Sequence, residues 1–97
     1  MKIALVVGTA VATIKDEKLH GRKLLLVREA DHSGNPFGST MVAIDTVDAG
    51  KGDIVVAVEG SSARQTFDTR EAPVDLVIVG IVDMLEVGGA VTFRKGL

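Results

Sequence analysis

The residues able to do chemistry are few: His20 and His32, an Asp31-His32-Ser33 string, a Gly50-Lys51-Gly52 turn, a Gly60-Ser61-Ser62-Ala63-Arg64 stretch, and the aspartates Asp75 and Asp83. Asp31, His32 and Ser33 have the side chains of a hydrolytic triad. Such triads, however, are assembled from separated chain positions on a rigid frame, and three consecutive loop residues cannot aim at one reacting atom. No His pair has the spacing of a metal site, and Asp31, His32 and Asp45 offer too few ligands for one. Asp75 and Asp83 would share a face of a regular strand but stand about 26 Å apart, too far for an acid and base pair.

The glycines around Lys51 lack the following Ser or Thr on a helix that a phosphate-binding loop requires, so a tight turn explains them. The Gly60 to Arg64 stretch reads as a helix start, with Ser61 or Ser62 as the cap. Free N–H groups, hydroxyls and a guanidinium there could bind an anion. Capping alone accounts for the serines, and Arg64 can equally pair with a carboxylate on a neighbouring subunit. The sequence therefore predicts no catalytic residue, no cofactor and no metal, and a non-enzymatic protein. Its alternative reading is a small oligomeric β-barrel module that binds an anionic ligand at the helix start.

The elements that position these residues are mostly strands. The 97 residues are 46% hydrophobic, with fifteen Val, three Phe and no Trp, Tyr or Cys. β-Branched side chains are stiff at χ1 and suit a pleated, half-buried surface. Lys2 to Lys15 predicts a long strand bent at Gly8 and apolar on both faces. Lys23 to Ala30 predicts a second, after the polar Asp16 to Lys23 connection. Asp31 to Ser39, rich in Gly, Pro, Asn and Ser, reads as a mobile surface loop. Strands are expected at Thr40–Val47, Asp53–Glu59, Leu76–Leu85 and, briefly, Ala90–Arg94, with one short helix over Gly60 to Phe67. The fold class is thus mainly β: a small OB-like five-stranded barrel with one short α-helix and a short C-terminal strand.

A chain of this length folding alone hides roughly two-thirds of its unfolded surface. Strands apolar on both faces need a second surface to cover them, and neighbouring subunits can supply it. The lack of Cys removes a disulfide framework and points to an intracellular location. The run from Val74 to Val87 is interrupted by Asp75, Asp83 and Glu86, so no membrane span is expected, and the N-terminal residues do not fit a signal peptide. The net charge of -2 and the scattering of Phe37, Phe67 and Phe93 over three elements leave neither a basic groove nor a stacking platform for nucleic acid.

Taken together, VATIK at Val11 to Lys15, then Leu19, Gly21 and KLLLV at Lys23 to Val27, VAIDTVDAGKGD at Val42 to Asp53, EGSSAR at Glu59 to Arg64 and PVDLVIVGIVD at Pro73 to Asp83 resemble the bacterial microcompartment vertex family, also called EutN/CcmL, over nearly the whole chain. Asp48 is a departure, since the family often has Gly there. The resemblance implies a single vertex domain over residues 1–97, assembled as a homopentamer, with six-fold closure as the alternative. It would cap the five-fold corners of a carboxysome or metabolosome shell, lie in the cytoplasm within that shell, and meet hexameric shell proteins. Asp45, Gly50, Gly52, Gly60, Ser61, Ser62, Ala63 and Arg64 are the expected subunit-interface residues, being small or polar and suited to close approach.

Overall fold

The computed structural model describes residues 1–13, 21–59 and 76–96, and seven strands run through them: β1 (Lys2–Ala10), β2 (Lys23–Glu29), β3 (Met41–Asp45), β4 (Ile54–Glu59), β5 (Leu76–Ile81), β6 (Met84–Val87) and β7 (Ala90–Arg94). The first five close into a barrel in the order β1-β2-β3-β5-β4, while β6 and β7 form a separate two-stranded sheet. All neighbours in the barrel are antiparallel except β3 and β5. A parallel pair cannot be joined by a tight turn, and here the chain passes through β4 before β5 returns to lie beside β3. This is the expected mainly β, OB-like architecture. The helix expected over Gly60 to Phe67 lies outside the described residues, and no helix occurs among those described.

The interior of a five-stranded barrel is narrow, and the register fills it by opposing small residues to large ones. Leu25 faces Ala43, Ile78 faces Ala57 and Val55 faces Ala4, all of them buried. The bend expected at Gly8 appears as a register shift between Val6 and Gly8 in the β1–β2 ladder, the usual sign of one extra residue in a strand. β1 ends at Ala10, short of Lys15, which lies outside the described residues.

The strand expected to run unbroken from Leu76 to Leu85 is in fact two. β5 leaves the barrel after Ile81; the Val82 N–H donates to the Ile54 carbonyl (2.8 Å) and the Lys95 N–H to the Asp83 carbonyl (2.8 Å). These two bonds fix a crossing into the second sheet, and the continuous apolar run conceals it. The consequence is a cover for part of the barrel. Ile3, Leu5, Ile54 and Val56 point outward from β1 and β4, and Leu85 and Phe93 of the hairpin pack onto them together with Ala30 and Val82. The second surface demanded by two-faced strands is therefore supplied in part by the chain itself. A further outward cluster, Ile44, Val58 and Val77, is also buried.

Candidate functional site

The turn between β3 and β4 is built on two aspartates. The β2–β3 register sets Lys23 opposite Asp45, and the parallel ladder sets Asp45 beside Ile78. The Asp45 carboxylate accepts the Val47 N–H (3.0 Å) on one oxygen and the Ala49 N–H (2.9 Å) on the other. Its side chain is 1% exposed, and Lys23 Nζ stands 3.6 Å away. The same ammonium donates to the Ala49 carbonyl at 2.6 Å and lies 3.4 Å from the exposed carboxylate of Asp48. Thr46 Oγ1 donates to the Ile78 carbonyl (2.8 Å), so the turn is tied to β5 as well.

At the other end, Asp53 Oδ2 accepts the Gly50 N–H (2.9 Å), its own N–H donates to the Gly50 carbonyl, and the Gly52 N–H reaches the Val6 carbonyl (2.9 Å). Gly52 has φ +94°, which only glycine adopts without strain. Asp48 has φ 60°, the only non-glycine residue at positive φ among those described. Aspartate tolerates the left-handed region better than most residues.

Of the expected interface residues, the structure brings Asp45, Gly50 and Gly52 together in this turn, whereas Gly60, Ser61, Ser62, Ala63 and Arg64 lie outside the described residues. The Asp45 carboxylate is turned inward and spent on backbone N–H groups. Its effect is to fix the shape of the turn, whose exposed surface is formed by Asp48, Lys51 and Gly52.

Nor does the Asp31-His32-Ser33 string form a reacting group. Asp31 Oδ1 accepts the N–H groups of Asn35 and Ser33, both at 2.9 Å, and those two bonds hold its carboxyl below the usual carboxylate range. The loop expected to be mobile is tied down at several points. Its ends are joined by an Ala30–Pro36 bridge, the Phe37 N–H donates to the Glu29 backbone carbonyl, and Arg28 Nε donates to the Gly38 carbonyl. Thr92 Oγ1 of the hairpin donates to the His32 carbonyl, and Gly34 sits against the Phe93 ring. Among the described residues, no group of three His, Cys, Asp or Glu is placed to hold a metal ion.

A charged cluster that sequence reasoning missed lies at Lys2, whose Nζ is 3.3 Å from Glu59 and 3.5 Å from Glu29. Burial alone would lower the Lys2 pKa, but the hydrogen bond and charge of Glu59, with those of Glu29, outweigh it and raise the value. The signal was absent because each partner is far away in sequence.

With this geometry in hand, the model of the family described as "Ethanolamine utilisation protein EutN/carboxysome" matches residues 1–83. The chain belongs to the EutN/CcmL family. The matched stretch contains the whole EutN/CcmL barrel and the Asp45–Asp53 turn, and stops one residue before β6. The chain is 47% identical over 95 residues to the bacterial microcompartment shell vertex protein EutN of Salmonella typhimurium, covering 98% of this chain and 96% of that one. It is 39% identical over 95 residues to the carboxysome shell vertex protein CcmL of Synechocystis sp., covering 98% and 95%. Among solved EutN/CcmL structures, GrpN from Rhodospirillum rubrum, a pentameric microcompartment shell protein, is 46% identical and superposes with a TM-score of 0.80, covering 90% of this chain and 99% of GrpN.

Proposed function

We propose that this chain is a shell vertex protein of a bacterial microcompartment, working as a single vertex domain in a homopentamer that caps the five-fold corners of the shell. The observation that carries the reading is the pentameric state of GrpN, at 46% identity and with the same barrel. The vertex names of EutN and CcmL add to it. The role is structural rather than catalytic, in keeping with carboxylates that serve the backbone instead of a substrate. The protein is located in the cytoplasm, in the shell itself, and needs no cofactor.

The geometry suits such a role. A ring is made from heterologous contacts, in which one patch of each subunit meets a different patch of the next, and closure prevents growth into a filament. The Asp45–Asp53 turn, held rigid by Asp45, Lys23 and Asp53, is a preformed edge for such a contact, with Gly50 and Gly52 allowing close approach and Gly60 to Arg64 as its proposed companions. Rigid contact surfaces lose little freedom on association, which favours assembly.

Hexameric shell proteins are the proposed outer partners. Six-fold tiles alone extend as flat sheets, and five-fold tiles let them close. The experiment is to produce facet hexamers with and without this chain and to image the products by electron microscopy. Closed polyhedra only when the chain is present is the expected result. Equal closure in its absence would refute the capping role.

A further inference from the structure

Two faces of this chain expose apolar side chains among the described residues, and they lie on different elements. The first is the outer wall of β2 and β3 beside Gly8 of β1. In the β2–β3 register Leu25 and Ala43 point into the core, which turns Leu26 and Val42 outward as a pair, and Val42 is 54% exposed. Gly8 sits beside Leu26 in the β1–β2 register, and a side chain there would do no more than touch Leu26 at 3.6 Å, so the glycine leaves the wall low.

The second is the outward face of the β6–β7 hairpin. Its ladder pairs Leu85 with Phe93 toward the barrel, and a register shift between Leu85 and Glu86 then pairs Glu86 with Val91. That shift places Val91 on the side facing away from Phe93, along with Met84 and their charged ladder partners Glu86 and Arg94, so two apolar residues sit among two charged ones on this exposed face. Val91 is 47% exposed and Met84 44%.

Apolar side chains left at the surface gain by being covered on association. The two faces differ in make-up: one is Leu26 and Val42 on the barrel wall beside Gly8, the other Met84 and Val91 on the back of a hairpin, flanked by Glu86 and Arg94. The hairpin covers β1 and β4 while the wall centres on β2 and β3, two strands further round a five-stranded barrel. A ring of identical subunits requires two unlike patches on different sides of each subunit. We infer that the hairpin back, through Val91 and Met84, seats on the Leu26–Val42 wall of the next copy of this chain, with Gly8 making room. This rests on the pentamer reading above and names the faces that would make its contact. The Lys23-held turn adjoins the wall at the end of β3 and extends the same contact with polar groups.

The absence of Cys makes the test clean. In a Val42→Cys/Val91→Cys double variant, a short bis-maleimide cross-linker should give a covalent ladder ending at the closed ring on a denaturing gel, while Val42→Cys or Val91→Cys alone stays monomeric. The native mass of the double variant before treatment reports whether it still folds and assembles. A Val42→Asp variant should lose the ring and run as a folded monomer. If the wild type and the double variant are both pentamers but no ladder forms, the faces are wrongly assigned and the pentamer reading stands. Self-cross-linking of Val42→Cys alone would overturn the head-to-tail pairing. A monomeric wild type would overturn both.

Discussion

Replacing Asp45 by Asn removes a charge and one acceptor while keeping the shape of the side chain. In the native turn each carboxylate oxygen takes one N–H, from Val47 at 3.0 Å and Ala49 at 2.9 Å. The amide has a single oxygen, so one of these N–H groups must face an NH2 donor. Losing a hydrogen bond to a charged group costs about 1.5–3 kcal/mol, and an N–H left unpaired in a buried site adds about 1–3 kcal/mol. Lys23 keeps the Ala49 carbonyl as a partner, and its ammonium is partly exposed, so the lost attraction contributes under about 1 kcal/mol. Because the two larger effects overlap on the same N–H, the total is about 3–4 kcal/mol, or a drop in Tm of about 15 °C or more for a domain of this size. The assay is denaturant unfolding of wild type and Asp45→Asn at one protomer concentration, since assembly would otherwise shift the apparent stability. A variant within about 0.5 kcal/mol of wild type would refute the view that Asp45 organises the turn.

Asp48→Val places a β-branched residue at φ 60° and should cost about 1–2 kcal/mol in the same assay. Asp48→Gly should stay near wild type, because relief of the left-handed strain is offset by a freer unfolded chain and the lost Lys23 pair. Gly34→Ala adds a Cβ at φ +85°, 3.0 Å from the Phe93 ring, and should destabilise by about 1–3 kcal/mol, with faster amide exchange in β7 as the local readout. Asp31 and Lys2 act at opposite ends of the pH range. The Asp31 carboxyl is depressed in the folded chain, so its contribution is present above the unfolded value near 3.8 and is lost as pH falls through the folded one. The Lys2 ammonium is raised, so its contribution is full below 10.5 and is lost as pH climbs through the higher folded value. Tm measured against pH should show Asp31→Asn with a flatter acid limb and Lys2→Met with a flatter alkaline one.

The strands of the barrel were legible because Val and Ile runs, broken by Gly and Asp, carry their own signal. Gly8 was readable as a bend for the same reason. The division at Val82 and Asp83 was not, because nothing in an apolar run tells the chain's neighbours in space, and the Ile54 carbonyl that receives Val82 is remote in sequence. That division hid the hairpin, and with it the internal cover over Ile3 and Leu5. The polar, small-residue character of the Asp45–Asp53 turn made Asp45 an expected contact residue, but the sequence could not orient its carboxylate, which faces backbone N–H groups and Lys23 across the β2–β3 ladder. At Asp48 the departure from Gly left the turn geometry open, and the structure supplies it as φ 60°. Lys2 with Glu29 and Glu59 left no trace in the sequence, since ion pairs across a barrel have no local pattern.

Native mass spectrometry of the purified chain tests five-fold closure most directly. One dominant species at five times the 10.1 kDa chain mass is expected. A stable monomer, or a ring of six, would contradict it.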